Sequence, residues 1–96
     1  PLSEARTMAD GLRASLSPDT FAHIQARVDP IVTVSEPAIA AAMRALWEAL
    51  KIVVEPSSAV AYAAIREAAA DLKGRRVGVI LTGGNVDLDK LPWLTA

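Results

Sequence analysis

Arg75-Arg76-Val77-Gly78-Val79-Ile80-Leu81-Thr82-Gly83-Gly84-Asn85-Val86-Asp87 is the stretch that decides the fold. A short apolar run rich in β-branched residues stops abruptly at Thr82-Gly83-Gly84-Asn85, the pattern of a buried strand delivering a hydroxyl and a glycine turn to a sheet edge. Open α/β sheets bind ligands just outside the carboxyl ends of their strands, and two glycines let backbone approach a ring or a phosphate with no Cβ in the way. The same four residues equally suit a plain turn leaving a core strand. Taken alone, the stretch favours the plain turn.

Upstream of it, helix and strand signals alternate. Residues 1–9 read as a connecting segment, and Asp10-Gly11 as a tight turn or a close approach of backbone to ligand. Ser17-Pro18-Asp19 starts a helix, with Ser17 as N-cap, Pro18 where a missing N–H costs nothing, and Asp19 at the positive end of the dipole. Phe21, Ile24 and Val28 fall on one face, and the helix is expected to end by Asp29-Pro30. Ile31 to Val34 reads as a strand. Ser35-Glu36-Pro37 then restarts a helix whose Ile39, Met43, Leu46, Trp47 and Leu50 recur at core spacing through Lys51.

Ile52-Val53-Val54 is a brief strand ending at Glu55-Pro56-Ser57-Ser58. The next helix, from about Ser58 to Leu72, is expected to turn Val60, Ala61, Ala64, Ile65, Ala68 and Leu72 inward, with Ser57 or Ser58 free to cap it and Lys73-Gly74 closing it. Val86 to Leu94, with Pro92 and Trp93, reads as an irregular return over the strand end. The order β-α-β-α-β predicts an α/β fold with a mostly parallel sheet and right-handed crossovers.

Composition narrows the partners. Ten basic against eleven acidic residues leave a net charge of -1, with no basic face for a nucleic acid. Without cysteine, and with His23 as the single histidine, the chain cannot assemble a thiolate or His-rich metal site, so His23 is read as a surface or half-buried residue. No apolar run is long enough to span a membrane and the start lacks a signal-peptide pattern, so a cytoplasmic location is expected. Hydrophobic residues make up 52% of only 96 residues, while aromatics make up 4%, which suits small side chains packing closely against something larger. The first residue is Pro1 rather than methionine, and a fragment of a longer chain is expected.

If the strands are parallel, Gly11, Glu55 and Thr82 to Asn85 converge. Glu55 also suits the plainer role of an acid at a helix N-terminus, worth about 0.3 to 1 kcal/mol. Nothing in the spacing places Lys51 or His23 as a base on Ser57, so hydroxyl nucleophilic catalysis has no support.

Four motifs in order carry a resemblance: Thr7-Met8-Ala9-Asp10-Gly11, Ile31-Val32-Thr33-Val34-Ser35-Glu36, Glu55-Pro56-Ser57-Ser58-Ala59 and Leu81-Thr82-Gly83-Gly84-Asn85-Val86-Asp87-Leu88. Together they resemble the C-terminal third of the pyridoxal-phosphate-dependent serine/threonine dehydratases and the serine racemases close to them, including hydroxyaspartate dehydratases. The alternative from another class is a non-enzymatic α/β interaction or regulatory module in which Thr82 to Asn85 is only a turn or an anion cradle.

The resemblance implies that residues 1–96 are the C-terminal segment of the large cofactor domain of a fold-type II enzyme, a three-layer αβα arrangement. Thr82 then hydrogen-bonds the pyridine nitrogen of pyridoxal 5'-phosphate, Gly83, Gly84 and Asn85 form the turn beside the ring, Gly11 passes its backbone against the cofactor face, and Glu55 lies near the ring edge. A neutral hydroxyl does not hold the ring nitrogen protonated, which favours prompt loss of a β-hydroxyl over a long-lived carbanion. The implied reaction dehydrates a β-hydroxy amino acid (serine, threonine or 3-hydroxyaspartate) to a keto acid and ammonia, and racemisation shares its first step.

No catalytic residue and no metal ligand is expected in this chain. The Schiff-base lysine, the phosphate-binding glycines and a site for Mg2+ or another divalent cation are implied upstream, so the 96 residues alone are expected to be inactive. The partners implied are a small-molecule amino-acid substrate and a second copy in a homodimer. Lys51 and Asn85 match positions that can meet a nucleotide effector in the racemase branch, although Asp19 and Ser58 depart from that branch's pattern.

Overall fold

Each helix begins where proline and a polar neighbour release the chain from extended backbone. The structure, a computed structural model, describes residues 6–28, 31–67 and 71–94. Helix α1 spans Pro18–Arg27, α2 Glu36–Leu50 and α3 Pro56–Arg66. The hydroxyl of Ser17 accepts the Thr20 N–H at 3.2 Å and that of Ser35 accepts the Ala38 N–H at 3.2 Å, so both helices start with a satisfied cap as the sequence predicts. Helix α2 ends differently. Lys51 takes up left-handed backbone, φ 57, a conformation usually left to glycine, and turns the chain toward α3.

The core lies between α2 and α3 and the segments that flank them. Ala38, Ile39, Ala42, Met43 and Leu46 are buried on α2, and Ala59 and Ala63 on α3, with Val54 sealed between. Met43 and Val54 are the largest fully buried side chains. The Trp47 indole N–H donates to the Val54 carbonyl at 2.8 Å, and Trp93 meets Trp47 edge to face, centroids 5.1 Å apart. This contact seats the 86–94 return on α2, where Leu91 and Val86 also pack.

The phase of α3 differs from its sequence reading. The buried positions are Ser58, Ala59 and Ala63, whereas Ala61 is exposed and Val60, Ala64 and Ile65 are half-buried. Small size is the reason: the buried alanines bring α3 close to α2, a signal that a reading weighted toward Val60 and Ile65 misses. The helix also stops at Arg66 rather than near Leu72, and Gly74, φ +77, serves a separate turn closed by the Arg75 N–H on the Leu72 carbonyl at 3.0 Å. Ala68 and the expected Asp29-Pro30 stop lie outside the described residues. Helix α1 buries no residue and packs on neither α2 nor α3, leaving Phe21 and Val28 exposed and Ile24 half-buried.

The expected parallel sheet does not form among the described residues. Residues 31–34, 52–54 and 77–81 belong to no strand, and one backbone hydrogen bond links two of the neighbouring segments, Glu55 N–H to the Gly83 carbonyl at 3.0 Å. A parallel ladder needs a neighbouring strand to pair with and cover on both faces. Ile31 stays 74% exposed and Ile80 80%, which shows how little of either is available here. The molecule is a slab measuring 41 × 37 × 19 Å, and a helix with side chains takes about 10 Å of that thickness.

Candidate functional site

The start of α3 gathers the residues that the sequence singled out. Glu55 holds the N-cap position without capping through its side chain, and Pro56, Ser57 and Ser58 make the first turn. The two serines are therefore free for other work, and neither caps the helix as the sequence suggested. The Ser57 hydroxyl accepts the Gly11 N–H at 2.8 Å, and the Ser58 hydroxyl accepts the Thr82 N–H at 2.9 Å. Adjacent residues of one helix turn thus hold two loops that are far apart in sequence.

The glycines belong to this close packing. A Cβ on Gly11 would stand 3.1 Å from the Ser57 hydroxyl oxygen, and one on Gly83 would stand 2.5 Å from Glu55 Oε1. At Gly84 the conflict is with backbone, since a Cβ would stand 2.5 Å from the Val53 carbonyl oxygen. At Gly84 the approach is one that only glycine permits, and what comes close is protein backbone, where the sequence pattern suggested a ligand.

Upstream, a second set of bonds positions the Gly11 loop. The Glu36 carboxylate accepts the Thr7 hydroxyl at 2.8 Å and the Met8 N–H at 2.6 Å, while Arg13 donates to the Thr7 carbonyl at 2.7 Å. Residues 7–9 therefore run fixed into a single 3-10 turn at Asp10–Leu12, and Gly11 sits in that turn.

Gly11, Glu55, Thr82 and Gly83 meet around the first turn of α3. Asn85 lines a neighbouring open recess of ≈ 380 Å³ together with Met8, Asp10, Pro56 and Lys90. Thr82 is exposed; its backbone is anchored, and its hydroxyl has no hydrogen-bond partner among the described residues. Lys51, at the far end of α2, does not line the Asn85 recess. His23 is exposed on α1, neither it nor Lys51 hydrogen-bonds Ser57, and no cluster of metal-ligating side chains occurs among the described residues.

Sequence reasoning missed Ser57, Ser58 and Glu36 as the residues that hold the site together. A signal was present for the serines: two hydroxyls follow Pro56 where Glu55 already occupies the cap position. Glu36 gave no such sign, because an acid in the first turn of a helix is sufficiently explained by the dipole.

Chemically, the arrangement offers a neutral Thr82 hydroxyl with no hydrogen-bond partner among the described residues, close to the Glu55 carboxylate that packs on Gly83. The chain is 50% identical over 88 residues to the beta-hydroxyaspartate dehydratase of Paracoccus denitrificans (strain Pd 1222), covering 92% of this chain and 28% of that enzyme.

Among solved structures, serine racemase from Dictyostelium discoideum matches with a TM-score of 0.78 and 41% identity, over 90% of this chain and 29% of that one. A threonine deaminase from T.th. matches with a TM-score of 0.78 and 46% identity, over 85% and 29%. The chain thus spans under a third of the length of these relatives. Residues 1–83 match the model of the family described as pyridoxal-phosphate dependent enzyme. Because that match runs from the segment before Gly11 to the glycine packed on Glu55, the chain belongs to the pyridoxal-phosphate dependent enzyme family.

Proposed function

We propose that these residues form the C-terminal part of the large, cofactor-binding domain of a fold-type II ammonia-lyase, with the three-layer αβα arrangement completed by the rest of the protein. Its substrate is a β-hydroxy amino acid, serine, threonine or 3-hydroxyaspartate, and its products are a keto acid and ammonia. The observation that carries the reading is Thr82, whose backbone is anchored to α3 while its hydroxyl is exposed and free. Similarity to the beta-hydroxyaspartate dehydratase of Paracoccus denitrificans supports the substrate class.

Pyridoxal phosphate, when bound, supplies the conjugated electron sink that makes a substrate's α-hydrogen acidic. Thr82 would hold the ring nitrogen through its hydroxyl, and Gly83, Gly84 and Asn85 would border the ring. Gly11 would lay backbone along the ring face, and Glu55 would approach its edge. As a neutral partner, the Thr82 hydroxyl would offer the ring nitrogen a hydrogen bond without the charge that a carboxylate would bring to it. The Schiff-base lysine, the phosphate-binding residues and any divalent cation belong to sequence outside this chain, and the 96 residues alone are inactive in this reading. Activity as a homodimer, and a nucleotide effector met by Lys51 and Asn85, rest on the family resemblance alone.

The test uses the full-length protein loaded with pyridoxal phosphate and supplied with L-serine, L-threonine and threo-3-hydroxyaspartate. Release of keto acid and ammonia from at least one of them is expected. A loaded protein that releases neither, from any of the three, overturns the lyase. Racemisation is the second reading, favoured by the 41% identity to the Dictyostelium serine racemase, and chiral analysis of the same reactions detects it.

A further inference from the structure

We propose that Ser58 is a positioning residue for Thr82, an inference that rests on the reading of Thr82 as the partner of the ring nitrogen. Ser58 is 2% exposed and is the one buried polar side chain among the described residues. A hydroxyl in such a place is unfavourable unless it is hydrogen-bonded, and a helix position by itself does not call for serine. Its bond accounts for it: Ser58 Oγ accepts the Thr82 N–H at 2.9 Å across 24 residues of sequence.

The second bond at this place shows what the first one does. The Gly83 carbonyl accepts the Glu55 N–H at 3.0 Å, so the Thr82-Gly83 pair is tied at its N–H end to Ser58 and at its carbonyl end to Glu55. Both anchors lie at the start of α3, where the Ser58 N–H itself bonds the Glu55 carbonyl at 3.0 Å. Two attachments three residues apart on one rigid turn fix the orientation of the Thr82 backbone, and with it the Cα–Cβ bond from which the hydroxyl projects. Remove the Ser58 oxygen and one attachment remains, about which the pair can pivot.

The experiment uses the full-length protein, both cofactor-free and loaded, carrying Ser58→Ala, Ser58→Gly, Ser58→Thr or Thr82→Ala. In the cofactor-free protein, amide exchange at residue 82 is expected to accelerate about five- to tenfold in Ser58→Ala, the effect of losing one net hydrogen bond. The dissociation constant for pyridoxal phosphate is expected to rise by a similar factor, with kcat lowered more than KM is raised. Ser58→Thr, which keeps the oxygen, is expected to restore protection at residue 82. Ser58→Gly serves the same purpose as Ser58→Ala if the alanine variant does not fold. Thr82→Ala is expected to weaken cofactor binding while its amide remains protected by Ser58.

Wild-type exchange at residue 82 in the variants lacking the oxygen overturns the anchoring. Accelerated exchange with unchanged cofactor affinity and kcat, alongside an impaired Thr82→Ala, overturns the positioning role and leaves the reading of Thr82 standing. An unimpaired Thr82→Ala overturns that reading, and the positioning role with it.

Discussion

The carboxylate of Glu55 occupies the space into which a side chain on residue 83 would grow: its Oε1 lies 2.5 Å from an ideal Cβ there, while its own N–H bonds the Gly83 carbonyl at 3.0 Å. The atom in the way is the tip of a flexible side chain. Gly83→Ala is therefore expected to turn Glu55 aside and to change stability by less than about 1 kcal/mol, with reduced cofactor affinity in the full-length protein. Gly84→Ala meets the Val53 carbonyl oxygen at 2.5 Å, and backbone does not turn aside. It is expected to cost about 1 to 3 kcal/mol in denaturant titration, the range for forcing atoms into filled space.

Ala63 is fully buried against α2, and Ala61, two residues earlier, is exposed. Ala63→Leu is expected to lower stability by about 1 to 3 kcal/mol, because the added methylenes must separate the helices. Ala61→Leu is expected to stay within about 0.5 kcal/mol of the parent. Urea midpoints of the two variants read the phase of α3 directly, and equal midpoints would contradict the observed face.

That face marks one limit of what the residues disclose unaided. Proline next to serine announced α1 and α2, because capping is a local matter of a few backbone N–H groups, and Ser17 and Ser35 do cap as expected. Ile39, Met43 and Leu46 likewise announced the core face of α2, because large apolar residues at helical spacing have few other uses. In α3, alanine occurs on every side, so size gives no preferred direction and only the neighbour decides. The parallel sheet is not formed among the described residues for a related reason: a β-branched run states a preference, whereas a ladder depends on partners elsewhere. At the site, Gly11, Glu55, Thr82 and Gly83 were legible from the turn chemistry and the resemblance. For Ser58 the spare hydroxyl after Pro56 was legible and its partner was not, because that partner is 24 residues away.

Trp47 combines two contacts that substitution can separate. Trp47→Phe removes the N–H that reaches the Val54 carbonyl at 2.8 Å and keeps an aromatic edge for Trp93. Val54 is 1% exposed, so water cannot readily replace the donor. A loss of about 1 to 3 kcal/mol is expected from the unsatisfied carbonyl, followed through the emission of the remaining Trp93 during unfolding.

Glu36 ties residues 7 and 8 to the first turn of α2. Glu36→Ala is expected to expose the Met8 amide, now bonded at 2.6 Å, to faster hydrogen exchange and to loosen the approach to Gly11. Glu36→Gln keeps one carbonyl oxygen and is expected to preserve part of the protection. Equal exchange at Met8 in both variants and the parent would show that the carboxylate does not hold this segment.

The left-handed turn at Lys51 also has a consequence in time. It joins α2 to α3 through only the residues between Leu50 and Pro56, so contacts between these helices are local in sequence and form early. The bonds that hold Gly11 and Thr82 span 46 and 24 residues and require much longer loops to close. The helices are therefore expected to assemble first and the site last, with the order reversed on heating. A preparation can then keep its full helical signal after it has lost the geometry for chemistry, and the amides of Gly11 and Thr82 exchange before those in the middle of α2.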